Sequence, residues 1–189
     1  MPKRDSHTAP RIAFPVKREK VIETMLYVVS KGLSPSAYKI VKLIYLADRA
    51  HMREYGRPVS FDHYVAMENG PVASFAYDVM KGVGVNQWEL PFRLVKEGGR
   101  TYIEDPKRPI NRKLFSKSDL QVLDETIQKY GNWSFRQLWD ETHDHAAYKR
   151  AWGGSTKGAH PMRFEDFFEG IDGADVIIEE LEQVAPYMR

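Results

Sequence analysis

Asp48 and His51 stand three residues apart in a stretch whose apolar spacing is helical, so a carboxylate and an imidazole share one face, and Tyr55 extends the strip. Such a pair can orient a general base. A histidine held by a local hydrogen bond beside the core produces the same spacing; that reading is preferred, and no catalytic residue is assigned. A second group, His143, Asp144 and His145, completed by His51 or His160, offers donors that suit zinc or ferrous iron. Ligands on one helix converge at spacings of three or four, whereas positions one and two apart diverge, so neither metal nor cofactor is assigned. The sequence has no nucleophile elbow, Walker loop, dinucleotide fingerprint or zincin helix. The chain is therefore read as a non-enzyme, with a metal-assisted hydrolase using Asp48, His51, His143 and His145 as the rival.

The scaffold that must carry these groups is bounded by composition. With 189 residues, 42% hydrophobic and 29% charged, the chain fits a single packed domain, placed at 16–189 behind a flexible tail at 1–15 that holds Pro2, Pro10 and Pro15. Having no cysteine, it is excluded from disulfides and thiolate chemistry. No apolar stretch approaches the roughly 20 residues of a membrane span, and the N-terminus lacks a secretory layout, so no membrane partner and a cytoplasmic location are expected. A net charge of +2 falls short of the basic footprint of a nucleic-acid binder, so DNA binding is not indicated. The charge is uneven: basic residues crowd Arg93–Lys117, whereas 165–182 carries only acids among its charged residues, a pattern read as two solvated faces.

Punctuation along the chain predicts a mainly α fold with one small β-hairpin. Val21, Ile22, Met25, Leu26 and Val29 form a stripe ending at Gly32. Ser34 and Pro35 announce a second helix, reaching about Tyr55 and closed by Gly56 and Pro58. Between Val59 and Val72 the pattern is ambiguous, since Ser60 suits a helix cap while Tyr64 to Met67 suits an extended segment, with a turn at Gly70 and Pro71. A short helix is expected over 74–80. Gly98 and Gly99 separate the two arms of the hairpin. Ser116 with Asp119, and Ser134 with Gln137, read as capping boxes, and the pairs Phe115/Leu120 and Trp133/Leu138 as hydrophobic staples. A glycine-rich connection at 153–158, an aromatic segment at Phe164 to Phe168 and a last helix over 176–184 complete the chain.

The stretch from Lys42 to Tyr77 carries Lys42, Leu43, Tyr45, Ala47, His51, Gly56, Arg57, Pro58, Tyr64, Ala66, Gly70, Pro71, Val72 and Tyr77 in an order and spacing that resemble the signature of Panacea-domain (SocA-like) antitoxins. The later segment from Leu114 to Trp152 is similar to the family's second half, extending the resemblance over about Val21 to Trp152. Met67 stands where the family often has tryptophan, and Asn69 where tyrosine is common.

This resemblance implies an antitoxin, bacterial or phage, that neutralises a cognate toxin by direct protein binding, without a catalytic step; a homo-oligomer and a protein adaptor or phage-encoded regulator stay open beside it. The implied partner surface lies at the end of the second helix and around the Gly70 turn: Asp48, His51, Tyr55, Tyr64, Met67, Asn69, Gly70, Pro71 and Tyr77. Tyr55, Tyr64, Trp88 and Tyr102 are the aromatic anchors it could use, and core packing is the competing role for most of them.

Overall fold

One buried helix organises the molecule. In the computed structural model, which describes residues 9–188, α2 (Ala37–Tyr55) packs against the helices Arg18–Ser30, Ser74–Lys81, Lys117–Tyr130 and Phe135–His143 and against strands of two sheets, and buries eleven of its residues, from Ile40 to Met52. It starts two residues later than its sequence predicts. Ser36, not Ser34, caps it, accepting from the Lys39 amide at 3.3 Å. Ser34 instead donates to Glu104, and the Pro35 carbonyl accepts from the Ile103 amide at 3.1 Å. The extended run before α2 thus lies along a hairpin strand, a tertiary contact that overrides the local start signal. At the far end Gly56 adopts φ +70° and closes the last turn.

Helices α1 (Arg18–Ser30), α3 (Ser74–Lys81), α4 (Lys117–Tyr130), α5 (Phe135–His143), α6 (Ala146–Trp152) and α7 (Ala174–Val184) surround it, so the described residues hold seven α-helices. Both predicted capping boxes are formed. The Ser116 hydroxyl accepts from the Asp119 amide at 3.1 Å while the Asp119 carboxylate accepts from the Ser116 amide at 2.9 Å, and Ser134 and Gln137 repeat the pattern. These caps matter most for α5, which buries only Leu138 and Thr142. Burying one leucine contributes about 2 kcal/mol, so a cap of about 1 kcal/mol is a large share of what holds α5 down.

Two small sheets complete the fold, one more than the single hairpin expected. The predicted hairpin is β3 (Arg93–Glu97) with β4 (Arg100–Glu104), and its turn residues Gly98 and Gly99 both have positive φ, as such a tight turn requires. The ambiguous segment resolves into strands: β1 (Tyr64–Met67) pairs antiparallel with β2 (Gly70–Ala73) and with β5 (His160–Pro161), in the order β2-β1-β5. Gly70 and Pro71 lie in β2, so the turn falls one step earlier, at Glu68 and Asn69. Ser60 caps no helix; it serves a carboxylate described below.

Residues 1–8 of the expected flexible tail lie outside the described residues. The rest of it is corrected by the structure: Ile12 is fully buried, and Phe14 meets Phe61 and Phe164 edge to face. Glu165, itself buried, accepts from the Arg11 amide at 3.1 Å. Prolines prevent a helix there but not an extended segment that inserts alternate side chains.

Candidate functional site

The β1–β2 turn is held from beneath by side chains that each reach one of its carbonyls. Lys42, fully buried on α2, donates to the Pro71 carbonyl at 2.6 Å. Tyr148 on α6 donates to the Met67 carbonyl at 3.0 Å, and His143 on α5 sets Nε2 3.2 Å from the Glu68 carbonyl. The imidazole's other nitrogen, Nδ1, meets the Trp139 carbonyl at 2.7 Å, so the ring lies between two main-chain carbonyls. Burial holds the Lys42 ammonium well below the usual lysine range and also lowers the His143 imidazole. Gly70 allows this convergence. Its φ is +97°, and a Cβ there would sit 2.8 Å from Lys42 Nζ and 2.9 Å from His143 Cε1.

Around the turn runs a row of rings. Trp139 stacks on His143 at 3.7 Å, His143 meets Tyr148 at 4.5 Å, Tyr148 lies parallel to Trp152 at 6.1 Å, and Trp152 meets His160 at 5.5 Å. Trp139, Trp152 and Met67 are half-buried, while Glu68 and Asn69 are exposed. This surface combines half-wet aromatic rings with an exposed polar tip, the composition that favours protein contact.

Asp48 and His51, predicted to lie side by side, enter separate networks. The Asp48 carboxylate accepts from the Ser60 amide at 2.8 Å, the Ser60 hydroxyl at 2.5 Å and the Tyr64 hydroxyl at 2.6 Å, which pins the start of β1 onto α2. Burial pushes its carboxyl up to about 6, against the pull of those hydrogen bonds. His51 sets Nδ1 2.7 Å from the Arg57 carbonyl and Nε2 3.0 Å from Ser118 Oγ and 3.2 Å from Asp119. Asp119 also takes Lys20 and Arg57, each at 2.9 Å. The histidine fixed beside the core is therefore what the structure contains.

The metal reading finds no support in this arrangement, because its histidines are dispersed. His51 faces α4, His143 faces the β1–β2 turn, and His145 turns Nδ1 toward the buried Tyr45 hydroxyl at 3.1 Å, where burial pulls it down to about 3. Among the described residues no three of His, Cys, Asp or Glu come together as a metal cluster.

The proposed partner residues divide by burial. Asp48, His51, Tyr64, Gly70 and Pro71 are buried and shape the surface from within. Met67, Asn69 and the half-buried Tyr77 reach solvent, the last with the Lys81 ammonium 4.6 Å over its ring. Tyr55 is 41% exposed but sits thirteen residues along α2 from Lys42, about 20 Å at the helical rise, so it does not join the turn. Of the remaining anchors, Trp88 is 91% exposed and Tyr102 half-buried. The aromatic row was missed by sequence reasoning, although Trp139/His143 and Tyr148/Trp152 announce it as two pairs of rings four residues apart.

Residues 40–149, more than half of the chain, match the family described as antitoxin SocA-like, Panacea domain. The chain belongs to this family. No curated protein and no solved structure matches it. In this Panacea domain most of the signature is interior: Lys42, Leu43, Tyr45, Ala47, His51, Pro58, Tyr64, Ala66, Gly70, Pro71 and Val72 are all buried. The signature therefore specifies the α2 and β1–β2 junction. Met67, half-buried, and Asn69, exposed, sit on its outer edge. No helix is long and apolar enough to cross a membrane among the described residues.

Proposed function

We propose that this Panacea domain is the antitoxin of a two-gene toxin–antitoxin pair and neutralises its toxin by direct contact at the β1–β2 turn and the aromatic row beside it. The observation that carries the reading is the junction itself: buried Lys42, Gly70 and Pro71 hold up a rim whose outer residues, Met67, Asn69, Trp139 and Trp152, reach solvent. Tyr77 contributes at the edge, and Tyr55 marks a second contact region at the far end of α2. The mode is steric, since the titratable groups at the junction, Lys42, Asp48 and His143, are already engaged by carbonyls and hydroxyls of the fold. We place the protein in the cytoplasm, where such a toxin would act.

Co-expression with the product of the neighbouring gene tests this. The expected result is restored growth and a co-purified complex, both lost in Asn69→Arg and Trp139→Ala while the variants remain folded. Absence of both complex and rescue for the unaltered protein would overturn the reading.

A further inference from the structure

A cleft of 470 Å³ opens on another side of the molecule, between the start of α1 and the segment leading into α4. Lys17, Lys20, Arg57 and Lys113 line it, with Asp119 as the carboxylate among its lining residues. Lys20 and Arg57 are both spent on Asp119. Among the described residues, neither Lys17 nor Lys113 forms an ion pair with a carboxylate. Lys17 lies instead 3.4 Å over the Phe61 ring, and the Lys20 ammonium lies 5.1 Å from the same ring. Among the described residues, several cations thus crowd a site lined by one carboxylate.

From this geometry we infer that the cleft binds a phosphate-bearing small molecule of about nucleotide size, an activity independent of toxin binding. Three features set the class. The volume falls within the range of small-ligand sites, roughly 300–1,000 Å³. Among the described lining residues, four cationic side chains against one carboxylate leave an excess that a di- or triphosphate matches and a single carboxylate does not. The charges are graded in depth, since Lys20 and Asp119 are buried, Lys17 and Arg57 half-buried and Lys113 exposed at the mouth, which suits a small group reaching inward more than a flat protein face. The first turn of α4, bordering the cleft, adds a favourable field for an anion.

The ammonium of Lys17 supplies a local reporter. Burial first, then repulsion from Lys20 and Arg57, holds it down to about 8, opposed by Asp119. A bound anion removes part of that repulsion, so its titration must move upward.

The test uses the full chain and inorganic pyrophosphate at low ionic strength, with citrate and a hexaglutamate peptide as comparators. Calorimetry is expected to show pyrophosphate binding that weakens as salt rises. Lys17→Gln and Lys113→Gln are each expected to lower affinity about tenfold, the loss of one charge-assisted contact. By NMR, the Lys17 side chain is expected to titrate from about 8 in the free protein toward the ordinary 10.5 when pyrophosphate saturates the site. The exposed Lys113 makes its variant a control that leaves the fold alone. An unmoved Lys17 titration, undiminished affinity in both variants, or tighter binding of citrate or hexaglutamate than of pyrophosphate would each overturn the assignment.

Discussion

Gly70→Ala is expected to cost the fold about 2.5–5 kcal/mol, and the reasons can be separated. The backbone comes first. At φ +97° an L-residue is strained, by about 1–2 kcal/mol. The second part is the collision: the new methyl would lie 2.8 Å from Lys42 Nζ, 2.9 Å from His143 Cε1 and 3.1 Å from Thr142 Oγ1. A lysine tip is ordinarily able to swing away, but Lys42 is wholly buried and donates to the Pro71 carbonyl at 2.6 Å, so moving it breaks that bond and strands a buried polar group. Loss of such a bond costs about 1.5–3 kcal/mol. Urea unfolding measures the sum, and a thermal scan should show a midpoint lower by roughly 6–20 °C for a chain of this size. The double variant Gly70→Ala with Lys42→Met isolates the parts, because it removes the ammonium and leaves the φ strain; it should be non-additive by at least about 1 kcal/mol. A loss below about 1 kcal/mol in the single variant, or strict additivity in the double, would refute the claim that glycine is required by this convergence.

Three further outcomes follow from the same networks. The Asp48 carboxyl is raised in the folded state to about 6 from 3.8, so its contribution is full below about pH 3 and is lost as pH rises through 6; the stability of the unaltered protein relative to Asp48→Asn should fall by about 2 kcal/mol between pH 4 and 7, read from urea midpoints, and parallel curves would contradict it. His145 works in the opposite sense: lowered from 6.5 to about 3, its neutral form stabilises the fold above pH 6.5 and that contribution is lost as pH falls, so His145→Gln should flatten the acid limb by up to about 1.4 kcal/mol per pH unit. Ser134→Ala removes the α5 cap and should lower stability by about 1 kcal/mol while exposing the Leu138 and Thr142 amides to faster hydrogen exchange.

Sequence reasoning reached furthest where the deciding physics is local. The capping boxes at Ser116 and Ser134, the glycine hairpin at 98–99 and the last turn of α2 at Gly56 depend on residues within four positions of one another, and all formed as read. It failed where a distant element decides. Ser34 has every local mark of a helix cap, yet Glu104 and Ile103, some seventy residues on, hold that segment extended and pass the role to Ser36. Ile12 was hidden in the same way, because it joins a core built from distant elements and its neighbour Arg11 donates its amide to Glu165. Asp48 and His51 were placed correctly on one helix, but periodicity gives only the direction in which each side chain leaves it. Their partners, Ser60 and Tyr64 for one and Ser118 and Asp119 for the other, come from different elements.

Under the proposed function, the burial of the signature bears on how one fold could serve unlike partners. If the residues that mark the family were the contacts, changing partner would mean changing the marks. Here Lys42 and Tyr148 spend their polar atoms on main-chain carbonyls of Pro71 and Met67, and the His143 ring faces that of Glu68, bonds and a contact that fix where the turn sits and are indifferent to the side chains it displays. Met67, Glu68 and Asn69 can therefore be exchanged without losing a single one of those bonds, whereas Gly70, one residue on, cannot gain even a methyl group without displacing a buried amine. The boundary between what the fold demands and what a partner can select falls between Asn69 and Gly70.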